Sequence, residues 1–390
     1  MSPSTRTRVL PGDETYAPQI SILIEQQAFP LHDVIELKVT LQKDELGGFS
    51  MVVANPFEIE DDGIGKTGTF RHSDLTVLDL FKAVEIKMGY ATGDLLVPMF
   101  IGEIQTLAPS FPSSGLPTLN ITGTDFLGRM RRAKPDATTV KSWKQLPDHE
   151  IAGQIARRHG LKLAAGSATD SARKPIDNQR DVDDLTYLMS LAKRNDFEAL
   201  VVLEGDSNGN AKAGTPALYF GTRRVPGEPG QVTETQLTWG ETLTSFTPRM
   251  SVNRQVGKVT VRGWDATKKE NIEYTATFAD LKASGKGPSG PELLEEKKIA
   301  KGERVVDWPV QSLAEAKRRA IDWLAETANQ FLTGTGETIG NPAIRPLTVV
   351  KLGGLGGRYD GPYEVIKADH VYGANGYTTS FEVQRIKAGA

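Results

Sequence analysis

The chain has 390 residues, 46 of them basic and 49 acidic, for a formal net charge of −3, and 38% are apolar. That length accommodates roughly two to three domains, and the near-balanced charge excludes a whole-chain basic field that would recruit nucleic acid or anionic lipid. The absence of cysteine excludes disulfides, thiolate metal sites and a cysteine nucleophile together.

The N-terminal MSPSTRTRVLPGDETYAP has no apolar core of signal-peptide length, and no stretch approaches the roughly 18 apolar residues of a membrane helix, so synthesis and folding in the cytoplasm are expected. From Ile20 to about Gly123 the pattern is β. Strands are predicted at 20–24, at 34–41 with Leu37, Val39 and Leu41 on one face, and at 84–88, 99–104 and 119–123. Short strands with turn residues between them suggest a small barrel or a sandwich.

The period changes over about 141–220. Pro147-Asp148 opens a helix in which Ile151, Ala152, Ile155 and Ala156 share a face, and Gly160 stops it. A second helix begins near Asp181, with Asp183 and Asp184 where the helix dipole favours negative charge and a stripe of Leu185, Leu188, Met189 and Ala192. The run 197–203 then reads as a buried strand, and 217–220 as its hairpin partner.

Beyond Leu243 the β pattern resumes with 256–263. A glycine-, lysine- and serine-rich loop follows over 282–301, with a short helical piece at 292–298. Ser312-Leu-Ala-Glu315 is a capping box that starts a long helix with the stripe Leu313, Ala316, Ala320, Leu324, Ala328 and Phe331. Three strands close the chain, broken by Gly353-Gly-Leu-Gly-Gly357. The implied boundaries are a first β unit at 1–138, an α/β insert at 139–230, and a second β unit at 231–390 with the long helix and an exposed loop near 280–304.

The chain offers little for chemistry. His32, His72, His149, His159 and His370 are too scattered to read as a ligand set; His149 and His159 are expected at the exposed ends of their helix, and His370 at a strand edge. His149-Glu150 begins like H-E-x-x-H, but Gly153 stands where the second histidine belongs. The cluster 353–357 precedes a strand, whereas a phosphate loop must open a helix, and Gly287-Pro-Ser-Gly290 lacks nucleophile-elbow spacing. Glu58, Glu60, Asp61 and Asp62, beside Gly63 and Gly65, read as a solvated loop without the EF-hand pattern. The pairs Arg131-Arg132 and Arg223-Arg224 read as solvated ends of elements, or as groups that meet acids across subunits. Trp143, Trp239, Trp264, Trp308 and Trp323 are dispersed, unlike a sugar-binding platform. No catalytic, cofactor-binding or metal-binding residue is assigned, and no cofactor is expected.

One ordered series stands out at the end: Gly340-Asn-Pro-Ala-Ile-Arg-Pro346, an apolar strand, Tyr359-Asp-Gly361-Pro-Tyr363-Glu-Val365, His370, then Gly376-Tyr-Thr-Thr-Ser-Phe381. It resembles the C-terminal barrel of the hub proteins of contractile phage tails, the late control protein D family, also found in the hub part of type VI secretion spike proteins and in contractile injection systems. The stretch from Arg157-Arg-His-Gly-Leu161 through the Asp183-Asp-Leu helix to Phe197 is similar to that family too, although Asn195-Asp196 replaces its usual glycine. Asparagine tolerates the left-handed conformation of a helix C-cap.

The grammar of 84–104, strand, glycine, loop, aromatic-x-glycine, strand, recurs at 349–363. With the resemblance, this implies a β-rich α+β fold of two tube-protein-like β-barrels with an α/β insert between them. The resemblance also implies a structural, non-enzymatic baseplate hub, a homotrimeric pseudo-sixfold ring adapting a hexameric tail tube to a separate trimeric spike within a phage tail or injection particle. Other baseplate components are expected partners, with no nucleic-acid sequence recognition and no membrane insertion. The alternative is a cell-wall-degrading or carbohydrate-binding module of the same particle.

Overall fold

A computed structural model describes residues 17–43, 45–61, 66–73, 77–90, 96–132, 141–174, 176–195, 197–204, 215–222, 234–265, 268–281, 286–299, 303–307, 310 and 312–389. The N-terminal strands are β1 (Pro18–Ile24), β2 (Gln27–Ala28), β3 (Val34–Gln42), β4 (Gly48–Ala54), β5 (Phe57–Asp61), β6 (Lys66–Phe70), β7 (Ala83–Tyr90), β8 (Val97–Ser110) and β9 (Thr118–Asp125). β5 and β6 form a hairpin of their own. The others pair antiparallel in the order β3-β4-β9-β8-β7-β1-β2. Successive strand side chains point to opposite faces, so Ile20, Ile22 and Ile24, Leu37 and Val39, Phe49, Met51 and Val53, and Val84, Ile86 and Met88 fill one core. A one-residue slip would turn a strand's whole apolar set to solvent, which fixes the register.

The insert contains α1 (Leu127–Arg132), β10 (Lys141–Lys144), α2 (Asp148–Arg158), β11 (Lys162–Leu163), β12 (Ile176–Gln179), α3 (Asp184–Asn195), β13 (Phe197–Glu204) and β14 (Thr215–Thr222). Asp148 and Glu150 complement the dipole of the first turn of α2. Gly160, at φ +75, follows the end of that helix. The Asp183 carboxylate accepts the Thr186 N–H at 2.8 Å and caps α3. Ile151, Ile155, Leu185, Leu188 and Leu191 pack with Ala199, Leu218 and Phe220 of the antiparallel β13–β14 pair, each fully buried aliphatic contributing about 1.5–3 kcal/mol. Asn195 is not the left-handed cap that the sequence suggests. It is the last residue of α3, and its buried amide donates to Asp148 and to the Leu191 carbonyl at 2.8 Å.

The C-terminal part holds β15 (Glu234–Thr238), β16 (Leu243–Met250), β17 (Lys258–Asp265), β18 (Glu270–Thr277), α4 (Gly290–Glu296), β19 (Glu303–Asp307), α5 (Leu313–Asn329), β20 (Leu332–Ile339), β21 (Val349–Gly353), β22 (Gly361–Gly373) and β23 (Gly376–Arg385). β17, β18 and β19 make a separate three-stranded sheet covered by α5, with a core of Val259, Val261, Ala316, Ala320 and Leu324. Ser312 Oγ accepts the Glu315 N–H at 3.2 Å and caps α5. Leu313, expected in the buried stripe, is instead 59% exposed: at the first helical residue the stripe has not yet reached the sheet.

The two β sets share one ladder. One edge of β22 pairs with β23 over 364–373, while its other edge pairs first with β21 at 361–364 and then with β3 at 367–372. An irregularity between Val365 and Lys367 marks the handover, and a bulge there adds the local twist that re-aims the strand. The result is a mostly β architecture around a 13-stranded sheet in which β22 joins both sets. Among the described residues no helix is long and apolar enough to cross a membrane.

Candidate functional site

The series Gly340-Asn-Pro-Ala-Ile-Arg-Pro346 forms a strap that ties the two β sets together. The Gly340 carbonyl accepts the Tyr90 hydroxyl of β7 at 2.7 Å, and the Gly340 N–H donates to the Tyr377 carbonyl of β23 at 2.8 Å. A Cβ on residue 340 would stand 2.1 Å from the Tyr377 ring, so any residue but glycine must displace that ring. The Asn341 N–H donates to Thr379 Oγ1 at 2.9 Å. Arg345 donates to the Pro342 carbonyl at 2.8 Å and to the Pro98 carbonyl of β8 at 2.7 Å. The strap therefore takes partners from β7 and β8 on one side and from β22 and β23 on the other.

His370 anchors it from below. The ring is wholly buried inside β22, between β23 and β3 rather than at a strand edge. Its Nε2 lies 3.0 Å from the Ile344 carbonyl and must donate, so Nδ1 accepts from Tyr377 Oη at 2.9 Å and Thr379 Oγ1 at 3.0 Å. Burial, reinforced by the nearby Arg345 charge, pushes the imidazole down to about 3. This histidine is a neutral structural pin.

A second fastener joins both β sets to the insert. Lys43, just past β3, reaches Glu198 of β13 at 2.6 Å and Glu364 of β22 at 3.0 Å, with side-chain exposures of 5%, 4% and 4%. Gln384 of β23 donates to the other Glu364 oxygen at 2.9 Å. Within the insert, Arg194 pairs with both Asp148 and Asp177, and these bonds raise its affinity for the proton although burial opposes it. Sequence reasoning missed Lys43, Glu198 and Glu364, because three charges from distant positions carry no local pattern. Arg345 lies inside the 340–346 series, but its pattern carries no sign of the contact with Pro98.

Between strap and insert lies a cleft of about 730 Å³ lined by Met99, Arg345, Leu347, Leu200, Val202 and Tyr219 among others. Its polar groups serve the framework. Asp125 accepts the N–H groups of Gly47 at 2.9 Å and Leu127 at 3.0 Å, with burial pushing its carboxyl up to about 7. Glu204 pairs with Lys162 at 2.9 Å.

The other sequence candidates remain apart. The His149 N–H donates to Ser171 Oγ at 2.9 Å. His159 is tucked against Asp184 at 2.8 Å rather than exposed. Glu58 pairs with Arg71; Asp62, Gly63, Gly65, Trp308 and Arg223-Arg224 lie outside the described residues. Arg131 and Arg132 are exposed at the end of α1. The glycines 353–357 connect β21 to β22 without opening a helix. Ser289 caps α4 by accepting the Glu292 N–H at 3.2 Å. Trp143 lies in the insert core, Trp323 of α5 packs against the core between that helix and its sheet, and Trp239, just past β15, and Trp264 of β17 are exposed. Among the described residues no group of three or more His, Asp or Glu is placed to hold a metal ion.

The family model described as Alg8_N, Alg8 N-terminal domain, matches residues 57–372. No curated protein matches the chain. Solved structures share its fold. The 43 kDa tail protein of prophage MuSo2 from Shewanella oneidensis superposes with a TM-score of 0.64 at 13% identity, over 95% of this chain and 98% of its own. The tail protein from Neisseria meningitidis MC58 gives 0.63 at 11%, covering 95% and 97%. The Escherichia coli c3393 protein, a component of the type VI secretion system, gives 0.56 at 10%, covering 94% and 76%.

Proposed function

We propose, for a chain that belongs to the Alg8 N-terminal domain family and has the fold of phage tail proteins, that it is a structural component of a contractile tail or injection particle. Its finer role is a hub of the late control protein D type: a homotrimer whose two related β sets per chain present six similar modules to a hexameric tail tube and three chains to a separate trimeric spike. A heterologous interface of this kind closes into a ring. The carrying observation is the near end-to-end superposition with the MuSo2 tail protein, 95% of one chain on 98% of the other.

The strap and the Lys43 junction suit this role, because a part that transmits force between tube and spike requires its modules to move as one body. The boundaries 1–138, 139–230 and 231–390 remain our division of the chain. We infer no enzymatic activity and no cofactor; assembly would take place in the bacterial cytoplasm before release. The test is imaging of the purified chain mixed with a candidate hexameric tube protein and a candidate trimeric spike protein. A threefold ring seated between them is expected; a chain that binds neither and turns over peptidoglycan would overturn the reading.

A further inference from the structure

Arg345 lines the cleft between strap and insert with a charge that no acid answers. Its Nε and Nη2 are occupied, donating to the Pro342 and Pro98 carbonyls, and Met99 Sδ lies 2.9 Å from Nη2. Nη1 makes no hydrogen bond among the described residues, and it is not sealed from solvent. Nor does any carboxylate among the described residues pair with this guanidinium; burial lowers its hold on the proton, and only the Tyr377 hydroxyl opposes that effect. A cation withdrawn from water without a counter-charge is costly, and a bound anion would relieve that cost.

The other charges around the cleft are engaged elsewhere or exposed. Glu204 holds Lys162 and accepts the Ala165 N–H, Asp125 is tied to the Gly47 and Leu127 amides, and Glu45 is exposed. Much of the remaining lining is apolar, with Met99, Leu200, Val202, Tyr219 and Leu347. Leu347 has φ +68 and packs with Leu200 and Tyr219 of the insert, a conformation that a bulky residue holds only where its surroundings over-determine it. That part of the wall is therefore preformed, as ligand sites mostly are.

We infer that the cleft binds a carboxylate carried on an apolar body, its oxygen accepting from Nη1 of Arg345 and its body lying against Met99, Leu200 and Tyr219. The volume of about 730 Å³ falls inside the roughly 300–1,000 Å³ of small-ligand sites. One unpaired cation balances one negative charge. A phosphate ester carries about −1.5 to −2 near neutrality and would bring surplus charge into a cleft that already holds three acids. An alkyl acid and the free C-terminus of an apolar peptide share the required chemistry, and a guanidinium suits either.

Calorimetric titration of the full chain tests the assignment, with decanoate, with the cation decyltrimethylammonium of the same chain length, and with acetyl-Leu-Leu carrying a free or an amidated C-terminus, all below micelle formation. Decanoate should bind at one site per chain and about tenfold or more tighter than the cation, the usual worth of a hydrogen bond to a charged group. Arg345→Gln should remove that advantage and leave the cation unaffected, while Val202→Trp, which fills the cleft from the insert side, should weaken decanoate without touching Arg345. Amidation should abolish binding of the peptide, and the tighter of the two acids indicates which source the cleft prefers. Equal affinity for decanoate and the cation, in a comparison that needs no variant and so holds even if loss of Arg345 loosens the strap, would overturn the assignment. So would decanoate binding that survives Arg345→Gln or Val202→Trp unchanged, or no binding of either acid at millimolar concentration.

Discussion

Lys43 Nζ lies 2.6 Å from Glu198 Oε1 at a point where both side chains are almost wholly sealed from solvent, and the same ammonium holds Glu364 at 3.0 Å. One cation therefore compensates two buried carboxylates drawn from the insert and from β22. Taking the lysine away would leave both acids without it. Lys43→Met is expected to cost about 3–5 kcal/mol, the usual consequence of removing one partner from a buried ion pair. Changing all three together, Lys43→Met with Glu198→Gln and Glu364→Gln, should cost markedly less. Urea unfolding decides it: a single variant as stable as wild type would mean that the junction carries no weight.

His370 makes a prediction about pH. Its folded pKa near 3 lies below the unfolded value of 6.5, so the native protein binds fewer protons than the unfolded chain. The stability it contributes is fully present above about 6.5 and drains away as pH falls toward 3. At pH 5 the loss is about 2 kcal/mol. His370→Gln, whose side-chain amide can still donate to the Ile344 carbonyl, should flatten this part of the profile. Equal losses between pH 7 and pH 5 in both proteins, followed by chemical unfolding, would rule out the histidine as the cause.

How much of this could be read from sequence depends on whether the signal was local. Leu37 and Val39, and Val84, Ile86 and Met88, announced their strands because alternating apolar residues define a buried face. β20 did not, since after Leu332 its buried positions are Gly334, Gly336 and Thr338, which are not apolar in the ordinary sense; the two glycines lie beneath the rings of Phe246 and Phe381, which supply the hydrophobic cover. His370 was visible as part of a motif, but a motif cannot say that the ring reaches back to Ile344. The continuity of the ladder through β22 was also hidden, because long-range pairing leaves no trace in period or spacing.

The strap's tolerance can be probed at one atom. Gly340→Ala places a methyl 2.1 Å from Tyr377 ring atoms, whereas a Cβ at Gly353 would meet nothing within 4 Å. Overpacking of this sort costs about 1–3 kcal/mol, and a surface change without contacts stays within about 0.5 kcal/mol. Unfolding of the two alanine variants under identical conditions should separate them by that margin. Similar stabilities would show that Tyr377 can move aside and that the strap is held elsewhere.

The unit of β17, β18, β19 and α5 has a core of its own, so damage there should stay local. Leu324 is fully buried against that sheet while Leu313, about three turns before it on the same helix, is exposed. Leu324→Ala is expected to cost about 2–5 kcal/mol through lost burial and the cavity left behind, and Leu313→Ala almost nothing. Amide exchange should speed up in α5 and β17 to β19 of the Leu324 variant before it does in β22 or β23, whose side chains pack into different clusters. Simultaneous acceleration throughout would mean that this unit and the 13-stranded sheet unfold as one, and that force applied to either is shared by both.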